Sequence, residues 1–209
     1  MTDKQDIDKM TLLEAFDRLG TASIEHGTMI DIMVYGGSAL MFASNFRFST
    51  GDVDIAPLRE AKPAWFEAAV SQIAADMGFA QEENWLNDAV DFHLSRLATK
   101  EGDHWEYGTF PRGGEAAGLR VFVPTAEYML ALKLKAMRVL DPSKGYQEKS
   151  GIQNLLFVND VHDVDAAMGI LGKYFPMSAK HEDKRFLLKQ LFSFDRKDKD
   201  APVYPARGF

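Results

Sequence analysis

Cysteine is absent from the 209 residues. That excludes disulfides, thiolate nucleophiles and thiolate zinc sites, so a metal here must be held by oxygen or imidazole. The five histidines are scattered without metal-ligand spacing, which leaves carboxylates and a hard cation such as magnesium. No apolar run approaches the roughly 20 residues that a membrane helix requires. The first ten residues, MTDKQDIDKM, are polar and acidic and lack the basic start and apolar centre of a secretory signal. The expectation is a soluble, cytoplasmic chain with no membrane partner.

Positive charge is also in short supply. The formal net charge of −7 argues against non-specific coating of nucleic acid. The deficit is uneven: residues 1 to 100 carry 8 basic and 16 acidic groups, whereas residues 101 to 209 carry 16 and 15. An anionic substrate would be met partly by the second half, although the same pattern also suits an ordinary solvated surface.

What is present is the composition of a globular chain, 46% hydrophobic and 26% charged. Apolar spacing predicts a helix from about Thr11 to His26, with Thr11 and Glu14 as a capping box. MIDIMVYGG reads as a buried strand entering a glycine turn, SALMFASN as a short helix, and DVDIA as a strand. Pro63 to Met77 follows as a second amphipathic helix. Strand candidates come next in DAVDFHLSR, HWEYGTF and GLRVFV, with the glycine-rich PRGGEAAG between the last two. From Pro124 the pattern is helical only: Thr125 to Val139, Glu148 to Asn159, Val164 to Tyr174 and Glu182 to Phe194. The expected organisation is a mixed α/β unit over 1–123 and helices over 124–209.

The chemistry concentrates in VYGGSALMFASNFRFSTGDVDIAP, Val34 to Pro57. Aspartates at i and i+2 on a strand point to one side, so Asp52 and Asp54 share a face while Val53 turns to the core. Two like charges so close in a dry setting repel, and a divalent cation keeps both ionised. Gly36 and Gly37 let the backbone approach a bulky anion, and Ser38 opens a helix whose free N–H groups can hold phosphate oxygens. A phosphate cradle followed by a metal-holding pair suits a nucleoside triphosphate chelated with magnesium.

YGGSAL, thirteen residues from Ala39 to Gly51, and then DVDI together resemble the signature of the nucleotidyltransferase superfamily related to DNA polymerase β. More narrowly, GGSALMFASNFRFSTGDVDI is similar to the nucleotidyltransferases of AbiEii-like toxin and abortive-infection systems, with Arg47 and Thr50 at the places of the basic residue and hydroxyl that precede the aspartates. WLNDAV and GLRVFVPTAEYMLALKLKAMR resemble bacterial nucleotidyltransferase-like proteins.

The resemblance implies an α+β fold, a small mixed nucleotidyltransferase sheet flanked by helices and followed by a C-terminal helical bundle. It implies Mg2+ held by Asp52 and Asp54, the β and γ phosphates held by Gly37 and Ser38, and Lys133 in LALKLKAMR as a further phosphate contact. Lys133 also fits a charged stripe beside the apolar face of Leu130, Leu134 and Met137. A third catalytic carboxylate is expected on a later strand, with Asp91 in VDFHL as the candidate and Asn87 or Asp88 as alternatives at the rim. The activity implied is transfer of a nucleotide monophosphate to a hydroxyl acceptor on RNA, protein or a small molecule, in a toxin or defence component with a cognate antitoxin-like partner. One motif departs from the group: Ser150 and Gly151 stand where a second acid of a later helix is expected, with Asp141 or Glu148 as substitutes. That departure motivates a second reading, a non-catalytic regulator or partner-binding protein with the same fold.

Overall fold

The computed structural model describes residues 7–57, 62–78, 85–88, 90–137, 145–194 and 201–205. The chain is a mixed α/β protein that divides into two compact units. The first comprises residues 1–43, 47–93 and 105–123, and the second residues 44–46, 94–104 and 124–209.

The first unit opens with β1 (Ile7–Asp8), which leads directly into α1 (Lys9–Glu25). The helix is capped by Asp8, whose carboxylate accepts from the Thr11 N–H at 2.8 Å. This corrects the expected Thr11–Glu14 capping box, and the reason is positional: the helix starts two residues earlier, so Thr11 is already in its first turn. The Thr11 hydrogen bond holds the Asp8 carboxyl below the usual carboxylate range. Leu12, Leu13, Phe16 and Leu19 give α1 its buried face, and the Phe16 ring lies 5.6 Å from those of Phe42 and Phe110.

β2 (Ile30–Val34) runs into α2 (Gly36–Ala43), then β3 (Ser49–Thr50) and β4 (Val53–Pro57). α3 (Phe66–Met77) ends at Gly78, and β5 (Leu86–Asn87) follows. β6 is His104–Phe110, and β7, Leu119–Pro124, is joined to it by residues 111–118, the segment PRGGEAAG. Five of these strands form one mixed sheet in the order β5-β4-β2-β7-β6. β2 is antiparallel to β4 and parallel to β7, and β4 is parallel to β5. β1 and β3 form a separate antiparallel pair, Ile7 opposite Thr50 and Asp8 opposite Ser49.

Alternation along the sheet separates its two faces. Ile32, Val34, Val53, Ile55, Leu119, Val121 and Val123 are buried to 1% or less. Their neighbours Asp31, Met33, Asp54 and Arg120 are only partly covered, as the two-residue strand period demands. On that second face Asp31 and Arg120 are register partners and form a two-pronged ion pair at 2.8 and 2.6 Å.

Among the described residues of DAVDFHLSR the expected strand is not formed. Asp91–His93 is a single 3-10 turn, with the Asp91 and His93 N–H groups donating to the Asp88 and Val90 carbonyls. Phe92, the apolar residue that a strand would have to bury, is 93% exposed, so the polar–apolar alternation had no core to face.

In the second unit, α4 (Lys100–Asp103) precedes α5 (Ala126–Ala136), α6 (Gly145–Val158), α7 (Val164–Tyr174) and α8 (Glu182–Phe192). Thr125 caps α5 and Asp163 caps α7 through side-chain acceptors. α5 packs against α6 and α7, and α7 against α8. Residues 94–104 join these helices through Ser95, whose hydroxyl donates to the Tyr174 carbonyl at 2.6 Å and whose N–H donates to the Tyr128 hydroxyl at 3.0 Å. Tyr174 Oη lies 2.6 Å from Asp103 Oδ1 and 2.9 Å from Glu127 Oε1. Asp141 and the last two residues of the helix expected through Val139 lie outside the described residues.

Candidate functional site

The glycine turn and the aspartates are brought together by the antiparallel pairing of β2 with β4. The Tyr35 N–H donates to the Asp54 carbonyl at 2.9 Å, which sets the start of α2 beside the start of β4. Gly36 opens the helix with φ +65°, the left-handed region that glycine adopts without strain. A Cβ at Gly36 would lie 2.7 Å from Asp54 Oδ2. The carboxylate therefore rests against the bare Cα at the helix N-terminus, where the first N–H groups have no partner within the helix.

Gly37 has the same character for a different reason. A Cβ there would meet Thr50 Oγ1 at 2.9 Å and Arg47 Nη2 at 3.3 Å. Thr50 is placed by the pairing of β3 with β1, and Arg47 is fixed by its Nε donating to the Ser49 carbonyl at 2.6 Å. Five of the residues singled out from sequence, Gly36, Gly37, Arg47, Thr50 and Asp54, thus surround one helix end. A side chain at either glycine would fill the space between them.

Ser38 and Asp52 complete the group. Ser38 is fully buried and its hydroxyl donates to the Asp52 carbonyl at 2.7 Å. The Thr50 hydroxyl donates to the same oxygen at 2.9 Å. The two hydroxyls fasten the backbone of the aspartate segment to the glycine turn, so the Ser38 side chain serves as a fastener there. Val53 is buried, while Asp54 in β4 and Asp52 just before the strand are both partly exposed.

The residue beside Asp54 on the next strand is Asn87, its register partner in the parallel pairing of β4 with β5. The sequence offers Asn87 as an alternative at the rim, and its local signal is the apolar pair Trp85–Leu86 just before it. Asp88 is turned to Lys62 in an ion pair at 3.0 Å, and the hydrogen bond and charge of Lys62 hold its carboxyl below the usual range. Asp91 lies beyond β5, exposed on the 3-10 turn, so the strand position expected for the third carboxylate is not its place. Lys133 is half-buried in the last turns of α5, in the second unit. Among the described residues no group of three His, Cys, Asp or Glu side chains is disposed to hold a metal, and no helix is long and apolar enough to cross a membrane.

The donor set fits a divalent cation with a polyphosphate. Two carboxylates offer hard oxygens, and one of them lies against Gly36, where a Cβ would collide with it. Beside it stand a guanidinium and the N-terminus of an eight-residue helix, both suited to phosphate oxygens.

No family model matches the chain, and no curated protein or solved structure matches it.

Proposed function

We propose that the chain is a magnesium-dependent nucleotidyltransferase that moves a nucleotide monophosphate from a nucleoside triphosphate to a hydroxyl acceptor. The observation that carries this reading is the contact of the Asp54 carboxylate with the bare Cα of Gly36 at the start of α2, with Arg47 and Thr50 over Gly37. A carboxylate at a helix N-terminus is ordinary by itself, as Asp8 and Asp163 show; the Arg47 guanidinium and the second aspartate beside it are what suit a metal–anion complex.

In the proposed reaction the acceptor oxygen forms a bond to the α phosphorus, the bond from that phosphorus to the bridging oxygen breaks, and pyrophosphate leaves. The hydroxyl proton passes to water or to a site carboxylate. Asp52 and Asp54 would hold magnesium, which when bound neutralises triphosphate charge and polarises the phosphoryl group. The N–H groups of Gly36 and Gly37 would hold the terminal phosphates, Arg47 would balance their charge, and Thr50 and Ser38 keep the segment in place. The acceptor, whether RNA, protein or a small molecule, and a toxin or defence role with a cognate protein partner, are part of the same proposal through the resemblance.

A second reading, a non-catalytic nucleotide-binding or partner-binding protein, is favoured by two features. The Ser38 hydroxyl is committed to the Asp52 carbonyl, and Ser150 and Gly151 stand in α6 where the related group has an acid.

The test is calorimetric titration with each of the four ribonucleoside triphosphates, with and without magnesium, on the wild type and on Asp54→Asn. Magnesium-dependent binding that is lost in the variant is expected. Failure of every triphosphate to bind would overturn the enzyme reading.

A further inference from the structure

β5 is only two residues long, yet its register is fixed from several sides. The Val53 N–H donates to the Trp85 carbonyl at 2.7 Å, and the fully buried Trp85 ring donates its indole N–H to the Val70 carbonyl of α3 at 3.1 Å. Asp88, immediately after the strand, is tied to Lys62. Between these anchors Leu86 pairs with Val53 and Asn87 with Asp54. Leu86 and Val53 are both buried, whereas Asn87 and Asp54 are both partly exposed. Parallel neighbours in register lie about 4.8 Å apart with side chains on one side, so the amide of Asn87 and the carboxylate of Asp54 flank the same space.

A primary amide is a suitable member of a hard-cation site. Its carbonyl oxygen is an established ligand type for magnesium, manganese and calcium, and it brings no charge. Asp52 and Asp54 supply two negative charges, which balance one divalent ion. A third carboxylate would add one further negative charge, which together with the charge of a bound triphosphate favours a second ion.

We infer that Asn87 provides the third protein oxygen of the Asp52–Asp54 cation site and, being neutral, limits that site to one divalent ion. The inference rests on the proposal that the two aspartates hold a cation. Asn87 is a ligand and positioning group in this scheme: it sets where the ion sits against the glycine turn and how many ions the site accepts.

The test uses Mn2+ as probe. Free Mn2+ is counted by its paramagnetic resonance signal during titration of the full chain, alone and with a non-hydrolysable triphosphate. Wild type is expected to bind one ion, Asn87→Ala to bind it about tenfold more weakly, and Asn87→Asp to take up a second. Unchanged affinity in Asn87→Ala alongside loss of binding in Asp54→Asn would overturn the role of Asn87 and leave the aspartate pair standing. A single ion in Asn87→Asp would overturn the charge limit, and no ion in wild type under either condition would overturn both proposals. Circular dichroism reports folding of each variant, and if Asn87→Ala does not fold, the stoichiometry of Asn87→Asp decides.

Discussion

Asp17 on α1 and Arg112 between β6 and β7 are joined by three hydrogen bonds although 95 residues separate them. The Arg112 N–H donates to Asp17 Oδ1 at 2.6 Å, and its Nε and Nη2 donate to Asp17 Oδ2 at 2.9 and 2.7 Å. Both side chains are about three-quarters covered, so the pair is worth more than an exposed one. Asp17→Ala leaves a partly buried guanidinium and a backbone N–H without their acceptor. A loss of about 1–2 kcal/mol in urea unfolding is expected, and an unchanged midpoint would show that the pair contributes nothing net.

Gly36→Ala tests the turn itself. The substitution forces a side chain into the left-handed region, at a cost of about 1–3 kcal/mol, and drives its methyl into the space of Asp54 Oδ2. Triphosphate binding is expected to fall further than this loss of stability accounts for. A variant that unfolds earlier but binds as wild type would show that the carboxylate is not where the ligand sits.

His104 provides a pH dependence. Burial pushes its imidazole below the ordinary histidine range, against the opposing effects of its hydrogen bond to the Thr99 carbonyl and of the nearby Asp103 charge. The unfolded chain therefore takes up the proton first. The stability contributed by neutral His104 is complete above about pH 6.5 and is lost as pH falls below it. His104→Gln is expected to flatten the decline in unfolding free energy between about pH 7 and 5, as measured by urea titration at each pH. An unchanged slope would place the dependence on another group.

Tyr204 fastens the end of the described chain. Its ring is buried and its hydroxyl donates to the Pro124 carbonyl, while Asn45 holds the same segment through the Ala201 carbonyl and the Val203 N–H. Tyr204→Phe leaves a buried carbonyl without its donor, so a destabilisation of about 1–2 kcal/mol is expected. A thermal midpoint equal to wild type would mean that water replaces the hydroxyl.

Local signals in the sequence carried elements whose own residues decide them. HWEYGTF is a strand over the residues expected and α7 occupies Val164–Tyr174 as its periodicity indicates, whereas α2 starts at Gly36, two residues before the expected Ser38, and the expected strand DVDIA begins at Val53. Elements that depend on distant partners were not legible. The 94–104 segment joins the helices through Ser95 and Asp103, whose partner Tyr174 lies 79 and 71 residues away. The position of Asn87 beside Asp54 depends on parallel pairing across α3, for which two residues of β5 give almost no pattern. Asp91 is the converse case: its alternation is local, but Phe92, which a strand would have to bury, is 93% exposed.

The double fastening of the Asp52 carbonyl by Ser38 and Thr50 has an experimental consequence. The anchor point is main-chain and is the same whichever side chain residue 52 carries. Asp52 can therefore be exchanged for asparagine, alanine or serine with those two bonds retained, and any change in ligand behaviour is then assignable to the lost carboxylate. Ser38 and Thr50 are the opposite case: altering either one loosens the frame while leaving both acids in the sequence. A mutational series across this segment thus separates chemistry from scaffold position by position.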